Sequence, residues 1–352
     1  MAFSTPVVWS PVTRRHDPQH EVWVGVPTLG TEVPGRVDAI LGAMGEREPL
    51  AAHPYDDEIL ERVHDRDYLA YLRRAHETWM QGPYAEVVGQ DRVVPYFFPT
   101  HALAQGMPLH RPAAPHALAG GYCYDTMTLV GEGTWEAARA AVDVALTAVE
   151  IVADTGRSAY ALCRPPGHHA TRSGFGGSCY LNNAAVAAEG LRAAGHERVG
   201  ILDLDAHHGN GTQAIFWGRD DVLYASVHVD PGAGWFPHVL GYADERGAGA
   251  GEGWNRNIPL APGTGDDAWT AAVIELTTWL HGSGCTGLVV SLGVDAAADD
   301  PESPLQVTHD GFHAAGGIIA ASLRPTVVVQ EGGYHLDTLG SLVDAFLSGH
   351  EA

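Results

Sequence analysis

From about residue 133 onward, two patterns of apolar and polar positions alternate along the chain. Short apolar runs bounded by turn residues occupy 159–163, 199–202, 222–229, 287–292 and 326–329, and each reads as a strand. Between them, apolar positions recur at helical spacing near 180–194, 266–281, 308–322 and 336–348. A long Ala/Val-rich stretch over 134–153 precedes them, with Thr134 the expected N-cap. Strands separated by helices predict a mostly parallel central sheet covered by helices on both faces. No linker or internal repeat interrupts the pattern, so residues 1–352 are read as one doubly wound α/β domain. The segment from about 80 to 132 breaks the alternation. It is rich in Pro, His and aromatics (Pro95, Tyr96, Phe97, Phe98 and Pro99, then Pro108, Pro112 and Pro115). An insertion of this length with this much aromatic surface predicts an ordered loop beside the site or at a subunit contact.

Charge changes what such a domain is expected to meet. Twenty basic residues against 43 acidic ones leave −23 at pH 7, and every basic residue is arginine. Without lysine there is no phosphate-cradling Gly-Lys-Ser/Thr loop and no Schiff-base lysine. The acidity argues against nucleic acid and for a small cationic partner. Twenty histidines hint at metal or proton-transfer chemistry. Cys123, Cys163, Cys179 and Cys285 form no C-x-x-C pair and read as reduced thiols of a cytoplasmic protein. No signal-peptide pattern or membrane-length apolar run is evident, so no membrane partner is expected.

The polar motifs fall at the carboxyl ends of the predicted strands, where open α/β sheets place their ligands. Residues 199–202 lead into Asp203, Asp205, His207 and Asn210, and 287–292 lead into Asp295. Residues 326–329 lead into Glu331 and Tyr334, and 159–163 into Arg164, His168 and His169. Side chains two apart on extended backbone point the same way, so Asp205 and His207 can share one metal, with Asp295 the third ligand. Three protein ligands and an open fourth position are typical of catalytic zinc. Two residues beyond His207 and Asp295 stand Gly209 and Ala297, which cannot bind a second ion, so one metal is expected. Asp299 and Asp300, before Pro301, read as a turn. His168 and His169 add proton transfer, because two imidazoles in one pocket separate their proton affinities. Asp203 and Asn210 are placed to orient them, the aspartate favouring a charged ring and the amide a neutral base. Tyr334, on its Gly-Gly hinge, is placed to hydrogen-bond a developing oxyanion.

These segments resemble the arginase–deacetylase superfamily on its zinc-dependent histone deacetylase side, and within it the bacterial acetylpolyamine amidohydrolases. The likeness lies in R-P-P-G-H-H-A (164–170), C-Y-L-N-N-A-A-V-A-A (179–188), D-L-D-A-H-H-G-N-G-T-Q (203–213), F-P-H-V-L-G-Y-A-D-E (236–245), S-L-G-V-D (291–295) and Q-E-G-G-Y-H (330–335). The resemblance implies the arginase–deacetylase fold, zinc on Asp205, His207 and Asp295, and Tyr334 polarising the carbonyl. It makes His169 the general base and His168 its electrostatic partner. It also implies a structural potassium held by Asp203, Ser226 and Val227 with the backbone of Asp205 and His207. Glu21 matches an acid at the pocket mouth, Phe236 one channel wall, and His116 a second acidic position of the polyamine enzymes. The sequence departs at Gly177-Ser178-Cys179, where the family has an aromatic residue in place of Ser178, so a wider or more polar channel is expected.

The expected activity is zinc-dependent hydrolysis of an N-acetylated cationic amine, such as an acetylpolyamine, to acetate and free amine. The expected assembly is a homodimer through the 80–132 loop. The rival enzyme reading is deacylation of another N-acyl amine, a biosynthetic intermediate or acetyl-lysine in a protein. A guanidine hydrolase is disfavoured by Gly209 and Ala297, and a non-catalytic binding protein by the complete set of ligands, histidines and tyrosine.

Overall fold

The structure, a computed structural model, describes residues 5–45, 47–322 and 325–352. Its strands are β1 (Val7–Trp9), β2 (His20–Trp23), β3 (Val26–Leu29), β4 (Leu50–Ala51), β5 (Ala159–Ala161), β6 (Val199–Asp203), β7 (Val222–Val229), β8 (Asn255–Leu260), β9 (Gly287–Leu292) and β10 (Thr326–Gln330). Eight form one sheet in the order β4-β1-β5-β10-β9-β6-β7-β8, and every pairing in it is parallel. β2 and β3 form a separate antiparallel hairpin.

The strands are apolar throughout because helices cover both faces of the sheet. Successive side chains alternate between the faces, so Ala159, Ala161, Ile201, Val289, Val327 and Val329 join one core. Against it pack the helices Thr134–Thr155 and Asn183–Ala193 through Val144, Ala148, Ala184 and Ala187. The interleaved Tyr160, Leu202, Leu288, Val290 and Val328 join the opposite core. There they meet Trp269, Phe312 and Phe346 from the helices Asp266–Gly282, His309–Ser322 and Leu336–Glu351. Each fully buried side chain of this size contributes roughly 1.5–3 kcal/mol. A one-residue slip of any central strand would exchange its two faces. Among the described residues, no helix is long and apolar enough to cross a membrane.

Several expectations need revision. The pattern from residue 133 onward predicted five strands, whereas the sheet also holds β1, β4 and β8. β1 and β4 are too short to carry a periodic signal, and β8 alternates polar Asn255 and Asn257 with partly exposed neighbours. Gly133, at φ +79°, is the N-cap of the helix Thr134–Thr155. The hydroxyl of Thr134 instead accepts from the amide of Gly131 at 2.9 Å. The 80–132 segment is ordered around short helices at Pro83–Val87, His101–Ala104 and Pro115–Leu118. All four cysteines are free, Cys285 alone being partly exposed.

Candidate active site

β5, β10, β9 and β6 are consecutive neighbours in the sheet and run parallel, so the four loops that follow them converge on one edge. After β6 come Asp205 and His207, and after β9 comes Asp295. One ligand atom from each lies within 4.8 Å of the others, and Asp205 and Asp295 are buried. His207 Nδ1 lies 3.1 Å from Asp295 Oδ2 and 3.4 Å from Asp205 Oδ1. Backbone amides of Ala206, His207 and Gly332 donate to these carboxylates at 2.8–2.9 Å, which fixes their orientation. A side chain at Gly332 would overlap both carboxylates, which explains glycine there. Two buried carboxylates and one imidazole, close together, fit a divalent cation with an open coordination position.

The loop after β5 carries His168 and His169, whose rings stand 4.0 Å apart. His168 Nδ1 lies 3.1 Å from Asp203 Oδ2, and His169 Nδ1 lies 2.7 Å from Asn210 Oδ1. Burial opposes a charge on His168, but Asp205, Asp203 and then Glu331 hold its pKa up to about 10. Burial pushes His169 well below the usual histidine range, and charge on His168 and His207 pushes it further. One ring is therefore a resident cation and the other a neutral base. Asp203 also accepts from the Tyr224 hydroxyl at 2.9 Å and stands opposite Ser226 in the β6–β7 register. Ser226 and Val227 are fully buried on β7, beside the loop that carries Asp205 and His207.

Tyr334 follows β10 through Gly332 and Gly333. Burial holds its hydroxyl well above the usual tyrosine range, opposed by the Arg36 guanidinium 4.8 Å from the ring centroid. Tyr334 lines a cavity of about 540 Å³ that extends from buried His169 to half-exposed Trp23. Glu21, Gly177, Ser178, Phe236 and Glu302 line it too. Glu21 projects from β2, and burial, then the nearby carboxylates of Glu302 and Asp125, push its pKa up to about 7. Phe236 meets the His169 ring edge-on at 4.8 Å. His116 does not reach this cavity. Its ring lies 4.8 Å from Tyr84 and 6.0 Å from Tyr96, inside the 80–132 segment, where aromatic packing holds it.

Four features escaped the sequence reading. Asp300 is no simple turn residue: it is buried and accepts from the amide of Tyr334 at 2.6 Å, so it holds the tyrosine loop. Glu302, two residues on, faces the cavity. Glu331 is buried and accepts from the amides of Gly167 and His168 at 2.7 and 3.1 Å, joining the β10 and β5 loops. Glu32 sits between Arg36 (3.0 Å) and Arg164 (2.8 Å), which gives Arg164 its place, and Arg36 donates to the carbonyls of Gly333 and Glu331. Spacing offers no signal for the last feature, since Arg36 stands 297 positions from Gly333. For Glu302 the available signal is its position just beyond Pro301, past the stretch read as a turn after Asp295.

Comparison with known proteins agrees with this geometry. The family model described as the histone deacetylase domain matches residues 31–350. Acetylpolyamine amidohydrolase 1 of Pseudomonas aeruginosa is 41% identical over 348 residues, covering 98% of each chain. The acetylpolyamine amidohydrolase of Mycoplana ramosa is 37% identical over 97% of this chain and 98% of its own. The crystal structure of an acetylpolyamine aminohydrolase from Burkholderia pseudomallei superposes with a TM-score of 0.91 at 39% identity, covering 99% of each chain. On the matched domain, the near full-length identity and the shared fold, the chain belongs to the histone deacetylase domain family and is a hydrolytic deacetylase.

Proposed function

We propose that this protein is a zinc-dependent amidohydrolase that removes acetyl groups from small cationic N-acetylated amines, acetylpolyamines above all. The observation that carries the reading is one cavity lined by His207 of the Asp205–His207–Asp295 cluster, by a neutral His169 and by Tyr334, with Glu21 and Glu302 along its wall and a charged His168 packed against His169. Asp205, His207 and Asp295 would hold the zinc, which when bound supplies Lewis-acid polarisation of the acyl oxygen and a more acidic water. His169, its Nδ1 hydrogen-bonded to Asn210, takes the proton of the attacking water through Nε2. The Tyr334 hydroxyl donates to the acyl oxygen as charge builds on it. His168 stays cationic on Asp203 and stabilises the same charge, and the protonated imidazole then delivers a proton to the departing amine. Glu21 and Glu302 attract the ammonium end of the substrate. Asp203, Ser226 and Val227, with the backbone of Asp205 and His207, are the residues for a structural potassium ion.

We read residues 1–352 as one catalytic domain of a cytoplasmic protein, a reading that its four free thiols support. We further propose a homodimer through the 80–132 segment. Between residues 93 and 124 the only charged side chain is Arg111, and Tyr96, Leu103, Met107 and Leu109 are exposed there. Steady-state kinetics of the zinc-loaded protein on acetylputrescine and acetylspermidine, against acetyl-lysine peptides, test the reading. Higher kcat/KM on the polyamines supports it, and preference for the peptides transfers the function to protein deacetylation.

A further inference from the structure

Ser178 leaves the channel without an aromatic side chain on that wall, yet the opposite wall is braced from outside the cavity. The Tyr124 ring stacks on Phe236 with centroids 6.3 Å apart and planes 11° from parallel. Its hydroxyl donates to the backbone carbonyl of His169 at 2.7 Å. Asn210, whose Oδ1 meets His169 Nδ1, turns its Nδ2 to the same hydroxyl at 3.5 Å. Phe236 in turn stands perpendicular to the His169 ring. Tyr124, Phe236, His169 and Asn210 thus close a ring of contacts in which Tyr124 alone touches both the base's backbone and the channel wall.

The segment around Tyr124 is itself tied to the Ser178 wall. The neighbouring Asp125 accepts from the amide of Gly177 at 2.6 Å, and Thr128 Oγ1 accepts from that of Ser178 at 2.8 Å. A side chain at Gly176 would overlap the Tyr124 ring, and one at Gly177 would overlap His169. The tyrosine occupies the space that Gly176 leaves, and His169 and Phe236 occupy that beside Gly177.

We propose that Tyr124 is a positioning residue that orients His169 through its hydroxyl and Phe236 through its ring, and so sets the acyl length the channel accepts. The inference rests on the deacylase reading above. The two contacts separate by substitution: Tyr124→Phe keeps the stack and loses the hydroxyl, and Tyr124→Leu loses both.

The test compares wild type and both variants, zinc-loaded, on acetyl, propionyl and butyryl derivatives of one amine, together with their crystal structures. For Tyr124→Phe we expect kcat to fall about 2- to 10-fold, the worth of one hydrogen bond, with KM and acyl preference unchanged. For Tyr124→Leu we expect the butyryl-to-acetyl ratio of kcat/KM to rise about 10-fold, the scale on which a pocket resolves a methylene or two. Phe236 is then displaced in the crystal. A Tyr124→Leu protein with Phe236 and His169 unmoved, or with an unchanged acyl ratio and only a lower Tm, overturns the proposal. If that variant does not fold, an unchanged kcat in Tyr124→Phe overturns it and the expected fall upholds it. A wild-type enzyme inert on every acyl amine defeats the deacylase reading instead, and the crystallographic positions of Phe236 and His169 still decide this inference.

Discussion

Single side chains in this site are tuned by what surrounds them, and substitution should expose that tuning. Tyr334→Phe keeps the ring on Arg36 and removes the hydroxyl. It should lower kcat by about 10²–10³, as losing one oxyanion donor does, with zinc content unchanged. Steady-state kinetics with metal analysis check this. Glu21 gives a pH prediction of defined sign. Its pKa rises from 4.5 to about 7 because it is buried among carboxylates, so the fold loses stability as pH rises from about 4.5 to about 7, where the unfolded chain has given up this proton and the folded chain still holds it. Binding runs the other way, because only the ionised form attracts an ammonium group. KM for an acetylpolyamine should rise as pH falls through about 7, while KM for an uncharged acetamide of similar size should not. Glu21→Gln should raise the polyamine KM about 10-fold, the scale of a hydrogen bond to a charged group, and abolish that pH dependence.

Short loops after neighbouring strands carry the chemistry, and buried carboxylates hold them: Asp300 under the tyrosine loop, Glu331 between the β10 and β5 loops, and a candidate metal site shared by the β6 and β9 loops. Asp300 accepts from the amides of Tyr334 and His335, so Asp300→Ala should lower kcat with little change in KM while a circular-dichroism melt remains cooperative. Of the loops themselves, the sequence revealed the residues at the strand ends but not their mutual support. Asp205, His207 and Asp295 were legible because strand ends in a parallel sheet meet at one edge. Asp300 was not, because a carboxylate before proline is common in turns, and only the folded chain brings it under Tyr334. Removing the proposed zinc leaves buried Asp205 and Asp295 with only the neighbouring imidazoles to balance them. Chelation should therefore lower Tm by several degrees, and zinc should restore it. Differential scanning calorimetry checks this.

At the scale of the whole molecule, charge and buried histidines set the response to solution conditions. A chain carrying −23 draws cationic substrates over long range, so added salt should raise KM for acetylpolyamines and leave it flat for neutral amides. His64 receives a hydrogen bond from the amide of Asn182 at 2.9 Å on one nitrogen and meets the carbonyl of Thr171 at 2.9 Å on the other, which requires a neutral ring. Burial lowers its pKa from 6.5 to about 4, and the same cause brings His16 to about 4. The unfolded chain binds protons between those values and the folded chain does not, so stability should fall as pH drops from about 6.5 towards 4. A pH series of thermal melts measures it, and His64→Gln should flatten the slope.

The parallel sheet, its two apolar faces and the strand-end positions of Asp205, His207, Asp295, His168, His169 and Tyr334 followed from the sequence. Periodicity and turn residues are local properties, and parallel strands leave their carboxyl ends only one edge to share. The tertiary structure alone decided that His116 packs among tyrosines, that Glu302 faces the cavity, and that Arg36, Arg164 and Glu32 form one buried charge cluster. It also decided that Tyr124 braces Phe236. Such contacts join side chains far apart in the chain or lodged in irregular loops. Their energy depends on distance, burial and the dielectric around them, and none of these exists until the chain has folded.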